Sequence, residues 1–244
     1  MLKIDLHIHT IASGHAHNTI LEYINQAQKL GMDTIGISEH GPSNNETIVT
    51  EVYFLTIGRL PRVINGVRVL RGIEANIIDQ DGNIDISDNA LGRLDYVMAN
   101  FHDNTTYKDL GIEGNTEVMI KTINSGKINI ITHPFHTQIF NFDIERVVEV
   151  ACRKSVLLEI DLQYINKYLK RPEKYSECFE NIKRVVESVK KYNKKLIVNS
   201  DSHNIWELGD DSYLEKIKDQ IDLPDEMIIN NYPDELFKLL KINE

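Results

Sequence analysis

The sequence predicts an α/β fold in which parallel strands alternate with helices and close, or nearly close, into a seven-unit barrel. Two observations carry this expectation. Short β-branched apolar runs alternate with stretches of three- and four-residue apolar periodicity along all 244 residues, as repeated βαβ units require. Histidines and acidic residues then recur at the ends of the strand-like runs, the side on which barrels of this kind assemble their sites. No linker-like or low-complexity stretch divides the chain, so residues 1–244 read as one domain.

The first strand is expected over residues 2–9. Its alternation puts Leu2, Ile4, Leu6 and Ile8 on one face and Lys3, Asp5, His7 and His9 on the other. The apolar face should meet the surrounding helices and the polar face should point into the barrel. Polar groups in such a place are costly unless they are paired or hold metal. A helix follows over 19–30, a strand over 33–39, a helix over 46–64 and a strand over 67–75. After a polar loop come strand 95–101, helix 115–126, strand 129–132, helix 143–153 and strand 156–161. A long helix over 173–193, strand 195–200 and terminal helices near 211–219 and 233–241 complete the chain. In the long helix Tyr175, Cys178, Phe179, Ile182, Val185, Val186, Val189 and Tyr192 form one apolar stripe. Lys174, Lys183, Arg184, Lys190, Lys191, Lys194 and Lys195 lie mainly off it. Glu173, Glu177, Glu180 and Glu187 are interleaved with them, which marks a solvated face rather than a nucleic-acid patch.

Composition narrows the function. Lys and Arg total 27 against 37 Asp and Glu, a formal net charge of −10. That balance argues against a protein that binds nucleic acid through bulk electrostatics. An anionic substrate would need a local positive centre, which bound divalent ions supply. The two cysteines, Cys152 and Cys178, have no metal-binding or disulfide spacing and read as buried small hydrophobes. The first residues run directly into a strand, and no apolar run approaches a membrane span, so a reducing cytoplasm is the expectation. Oligomeric state is not legible.

The nine histidines stand at positions 7, 9, 15, 17, 40, 102, 133, 136 and 203. His7 and His9 close the first strand, His40 follows the second and Glu74 ends the third. His102 ends the fourth, His133 the fifth, and Asp201 and His203 the seventh, with Asn199, Asp201 and His203 on one side. A His-x-His pair puts two imidazoles on one face, suited to chelating a single ion, and Asp-x-His does the same with mixed ligands. Imidazole and carboxylate without thiolate suit zinc, manganese or iron. With His15 from the Gly-flanked loop after the first strand, the candidate metal ligands are His7, His9, His15, His40, Glu74, His102, His133, Asp201 and His203. That set exceeds one tetrahedral site and leaves room for two or three ions, with Glu74 as the natural bridge. A single strand-end histidine is more often a hydrogen-bonded structural residue; the recurrence at strand after strand outweighs that reading. His17 and His136 each neighbour a candidate ligand and fit a substrate contact or a plain loop histidine equally. Asp5 either orients a ligand imidazole or pairs with Lys3.

Asp5-Leu6-His7-Ile8-His9-Thr10, Glu39-His40-Gly41-Pro42, Gly72-Ile73-Glu74-Ala75-Asn76, Phe101-His102, Thr132-His133-Pro134 and Ser200-Asp201-Ser202-His203 together resemble the motifs of the polymerase and histidinol phosphatase (PHP) family. The match runs in order through nearly the whole chain, and its size and His15 loop are most similar to the family's stand-alone bacterial phosphatases. The resemblance implies a distorted (β/α)7 barrel, TIM-like, with a trinuclear zinc site at the C-terminal rim of the strands. One ion would take His7, His9, Glu74 and Asp201, a second His15, His40 and His203, and a third Glu74, His102 and His133. Glu74, His102 and Asp201 are the residues expected in catalysis. The implied activity is hydrolysis of phosphate monoesters on a small phosphorylated substrate by a metal-bound hydroxide, with Mn2+ or Fe as alternatives to Zn2+. Glu39 stands where the motif commonly has aspartate; alternation from His40 points it outward, away from the metals. Competing functions are histidinol-phosphate phosphatase, a nuclease acting on 3′ or 5′ ends, and a non-catalytic metal-binding regulatory domain. An amidohydrolase would want a bridging lysine on the fourth strand, where this chain has His102. Specificity is expected in the loops at 10–18, 76–92, 103–113 and 134–142, which carry no decisive signature.

Overall fold

The computed structural model describes residues 1–136 and 140–242. Its elements in chain order are β1 (Ile4–Asp5), α1 (Ile20–Leu30), β2 (Thr34–Ile37), α2 (Glu51–Thr56), β3 (Val63–Ile64), β4 (Val67–Arg71), β5 (Glu74–Asn76), α3 (Asp88–Leu91), β6 (Met98–Asn100), α4 (Gly111–Asn124), β7 (Ile130–Ile131), α5 (Ile144–Lys154), β8 (Leu157–Asp161), α6 (Leu162–Lys170), α7 (Pro172–Lys191), β9 (Ile197–Asn199) and α8 (Pro233–Leu239). The expected alternation of strand and helix is therefore present. No described helix is long and apolar enough to cross a membrane.

One sheet has the order β1-β2-β4-β3, with β1, β2 and β4 parallel and β3 antiparallel to β4. The other runs β5-β6-β7-β8-β9, parallel throughout. Two parallel bridges join them. His40 pairs with Glu74, and Ile8 pairs with Ser202. At the second joint the His9 backbone N–H donates to Ser202 O over 2.9 Å and Ser202 N–H donates to His7 O over 3.1 Å. Because β4 and β5 are one run interrupted at Gly72 and Ile73, pairing passes through seven parallel positions and returns to its start.

The interior below the site is apolar. Ile4, Leu70, Met98, Ile130, Leu157 and Ile197, one from each of six strands, share a buried cluster with Leu6, and Leu236 of α8 and Leu240 just after it close it. The remaining strand, β2, contributes Gly36. A Cβ there would stand 2.3 Å from the Tyr96 hydroxyl oxygen, and one at Gly72 would stand 2.2 Å from the ring, so both positions must lack a side chain for Tyr96 to cross between them. Its hydroxyl donates to Leu6 O over 2.5 Å. Outside the strands, Ile8, Ile35 and Ile37 pack on Tyr23, Ile24 and Ala27 of α1, while α4, α5 and α7 cover the other flank.

Several expectations need correction. First-strand alternation fails after Leu6: Ile4 and Leu6 both enter the interior cluster, Ile8 packs on α1, and Asp5 turns toward the loop after β9. Asp5 neither orients an imidazole nor pairs with Lys3; it accepts from Ser200 N (3.1 Å) and Gly209 N (3.1 Å). The helix expected over 46–64 is confined to α2 and a following 3-10 turn. Asn44 accepts from Glu46 N and Thr47 from Val49 N, side-chain turns that hold the preceding residues out of helix. The helix near 211–219 contracts to a 3-10 turn over Leu214–Lys216. α6 was not foreseen: Asp161 ends β8 and caps α6 at once, accepting from Gln163 N over 2.6 Å, so no loop announces the helix. In α7 the buried stripe from Cys178 to Val189 is as expected. Cys152 and Cys178 are both buried.

Candidate metal centre

The parallel strands deliver polar side chains to one rim, and the chain bends to do it. His133 and Asp201 have φ of +28° and +51°, left-handed values that non-glycine residues adopt at a cost when tertiary contacts hold them. Glu159 supplies one such contact, accepting from His133 N over 2.9 Å.

Glu74 lies at the centre, almost fully buried. Its Oε2 is 3.3 Å from His7 Nε2, 3.3 Å from His9 Nε2 and 2.9 Å from His40 Nδ1. Its Oε1 is 3.2 Å from His102 Nε2 and 3.0 Å from His133 Nε2. Asp201 Oδ1 stands 3.4 Å from His7 Nε2, 3.1 Å from His9 Nε2 and 3.7 Å from His203 Nδ1. The His15 ring centroid is 5.3 Å from that of His40 and 4.8 Å from that of His203. All nine candidate ligands therefore converge. Compact donor triads fall as His7, His9 and Asp201; His9, His40 and His203; and His40, Glu74 and His102. His40 thus stands between the expected second and third sets rather than wholly within the second.

His17 and His136 lie outside this convergence. The His17 side chain is exposed, and its backbone N–H donates to His203 O. The His136 ring is 6.1 Å from that of His133 and 4.5 Å from that of Tyr164, beside the rim. Burial, then the neighbouring His133 and Lys167, pushes its pKa down to about 3. Residues 137–139 of the loop expected at 134–142 lie outside the described residues.

Several supporting groups escaped the sequence. Glu159 Oε1 accepts from His7 Nδ1 and from Asn199 Nδ2, each over 2.8 Å, and so turns His7 Nε2 toward Glu74 and Asp201. Glu39 does not point away as expected: it is buried and accepts from Thr10 N over 3.1 Å and from the Ser13 hydroxyl, which is 3.2 Å from His9 Nδ1. Gln163 of α6 donates to Asp201 O over 2.5 Å, with its amide nitrogen 3.1 Å from His203 Nδ1. Glu159 sits inside an apolar run, where a lone acidic residue was the only available signal.

Electrostatically the cluster is poised for cations. Burial works against charge on His9, yet the Asp201 and Glu74 carboxylates beside its Nε2 outweigh it and push its pKa up to about 9. His7 is raised in the same way, against burial, by Glu159, Glu74 and Asp201. Burial drives His40 down to about 3 and His203 down to about 4. Burial opposes ionisation of Glu74, but His40, His7 and His102 hold its carboxyl well below the usual range. The fit to metal is tested by atoms left over: His7 Nε2, His9 Nε2, His40 Nδ1 and Glu74 Oε2 are all buried without a partner in hydrogen-bond geometry. Buried polar atoms seldom stay unpaired. Nitrogen and oxygen donors converging without sulfur fit zinc, manganese or iron.

The family model described as the PHP domain matches residues 5–200. A probable phosphatase of Clostridium acetobutylicum is 36% identical over 238 residues, covering 98% of this chain and 94% of that protein. The probable phosphatase YcdX of Escherichia coli K12 is 36% identical over 241 residues, covering 99% of this chain and 95% of that protein. Among solved structures, histidinol phosphate phosphatase from Lactococcus lactis, complexed with zinc, L-histidinol and phosphate, aligns with a TM-score of 0.62 at 14% identity, covering 90% of this chain and 92% of that one. A chain of archaeal ribonuclease P with mature tRNA aligns at 0.60 and 11% identity, covering 98% and 90%. At such identities the two structures share the fold alone.

Proposed function

The chain belongs to the PHP domain family, and from that premise we propose that it is a metal-dependent phosphatase hydrolysing small phosphate monoesters at a trinuclear, zinc-loaded centre. One observation carries the proposal: a single buried carboxylate, Glu74, has five imidazole nitrogens within 3.3 Å of its two oxygens. A structural ion pair needs one such partner; a bridge between ions needs several. In this reading His7, His9, Glu74 and Asp201 hold one ion, His15, His40 and His203 a second, and Glu74, His102 and His133 a third. Mn2+ or Fe would suit the same donors. Bound divalent ions would activate a water near neutral pH and offset charge on the phosphoryl oxygens.

The protein's own groups hold that arrangement still. Glu159 fixes the His7 ring, and Glu39 acting through Ser13 fixes His9. His102 and Asp201, partly exposed beside the buried Glu74, are the ligands that meet substrate, and with Glu74 form the catalytic set. The centre supplies the positive charge that a chain of net charge −10 lacks overall. A reducing cytoplasm suits a chain whose two cysteines, Cys152 and Cys178, are both buried.

The test is direct. Protein stripped with a chelator should lose p-nitrophenyl phosphate hydrolysis and regain it with zinc or manganese. Glu74→Ala and His40→Ala should lower metal content and rate together. Undiminished hydrolysis by fully metal-free protein refutes the proposal. Histidinol phosphate belongs in the substrate panel, since selective turnover of it would narrow the activity to that ester.

A further inference from the structure

The cavity of about 440 Å3 between α6 and the loop that follows β9 abuts the metal centre. Gln163 belongs to both, lining the cavity while bonding Asp201 O and approaching His203. One residue on, Tyr164 places its ring 5.9 Å from that of His133. α6 therefore crosses the rim from His203 to His133. Its next turn lines the same cavity with Asn166, Lys167 and Lys170.

Charge decides what the cavity takes. Neither Lys167 nor Lys170 has a carboxylate within ion-pair distance among the described residues, and the Lys167 ammonium rests 4.1 Å above the Tyr164 ring. Three carboxylates stand near it, Glu207 and Asp210 in the cavity lining and Asp161 at the start of α6, each accepting from a backbone N–H, and Asp161 also acts on Lys167 through its charge. Glu207 accepts from His203 N over 3.0 Å, Asp210 from Ser212 N over 3.1 Å, and Asp161 caps α6 by accepting from Gln163 N over 2.6 Å. Asn166 adds a buried carbonyl oxygen with no hydrogen-bond partner. Two lysine ammoniums without a salt bridge among the described residues, next to the proposed phosphoryl site, describe a receptor for an anionic far end of the substrate, and the Asn166 oxygen can accept only from a hydroxyl or N–H of that substrate.

We propose that this cavity holds the leaving group and selects phosphate monoesters that carry a second anion, a carboxylate or another phosphate, paired by Lys167 and Lys170. The inference rests on the phosphatase reading above. Two matched pairs test it: glycerol 3-phosphate against 3-phosphoglycerate for the carboxylate, and fructose 6-phosphate against fructose 1,6-bisphosphate for the phosphate. In at least one pair the doubly anionic ester should have the higher kcat/KM, by about tenfold, the gain residing in KM. In Lys167→Ala/Lys170→Ala that ratio should fall toward one, and Lys167→Arg/Lys170→Arg should restore it. A ratio near one in the natural enzyme for both pairs, or a ratio the alanine variant leaves intact, overturns the inference while the phosphatase reading stands. Failure to hydrolyse any phosphate ester overturns both.

Discussion

Replacing Glu159 with glutamine tests how this centre is held, since it changes a buried carboxylate that lies beyond coordinating position. Three donors converge on it: His7 Nδ1 and Asn199 Nδ2 on Oε1, each at 2.8 Å, and His133 N on Oε2 at 2.9 Å. A carboxylate accepts all three. The amide of glutamine has one accepting oxygen and one donating nitrogen, so in either orientation at least one buried N–H faces another donor. An orphaned buried donor costs about 1–3 kcal/mol. Much of that cost falls on His7, whose Nε2 is aimed at Glu74 and Asp201 only while Nδ1 is held. Loss of such an orienting partner weakens metal binding by roughly 10–100-fold, which is about 1.4–2.7 kcal/mol, in line with the hydrogen-bond figure. Competition against a chromogenic chelator measures the affinity, and a melting curve of the metal-free variant reports the fold. Zinc affinity within twofold of the natural protein, in a variant that still folds, would refute the claim that Glu159 orients His7.

The remaining predictions probe fold and charge. Gly36→Ala forces a Cβ to 2.3 Å from the Tyr96 hydroxyl oxygen, which should destabilise by about 1–3 kcal/mol; thermal melting should show the loss, and Tyr96→Phe in the same chain should recover part of it. The metal-free protein should lose stability as pH rises from 6.5 to about 9, because His9 binds its proton more tightly folded than unfolded across that window; melting curves that are flat over this range would contradict the sign. Ions must displace the same proton, so zinc affinity should climb with pH up to about 9, and calorimetry in buffers of different ionisation enthalpy should register proton release.

Much of this was legible because ligands and strand ends coincide. His7, His40, Glu74, His102, His133 and Asp201 lie far apart in sequence, and parallel strands oblige their C-terminal ends to share a rim. What failed was local geometry. Alternation assigned Leu6 and His7 to opposite faces, whereas both serve the interior, Leu6 in the apolar layer and His7 at the rim. The same rule sent Glu39 away from the site, although its carboxylate clamps Thr10 and Ser13 beneath His9. Glu159 was hidden because its burial is matched by partners on β9 and after β7, which no spacing within Leu157–Asp161 reveals. α6 was hidden because Asp161 both ends a strand and starts a helix. The sequence places specificity in the loops at 10–18, 76–92, 103–113 and 134–142, and gives no sign of the cavity beside the site that α6 and the loop after β9 enclose.

The central claim is that Glu74 bridges cations gathered by imidazoles from successive strands. Anomalous diffraction from crystals grown with zinc tests it most directly. The account predicts three peaks among the nine ligands, with Glu74 touching more than one. A single ion, or ions bound elsewhere while His7, His40, His102 and His133 keep only hydrogen bonds, would contradict it.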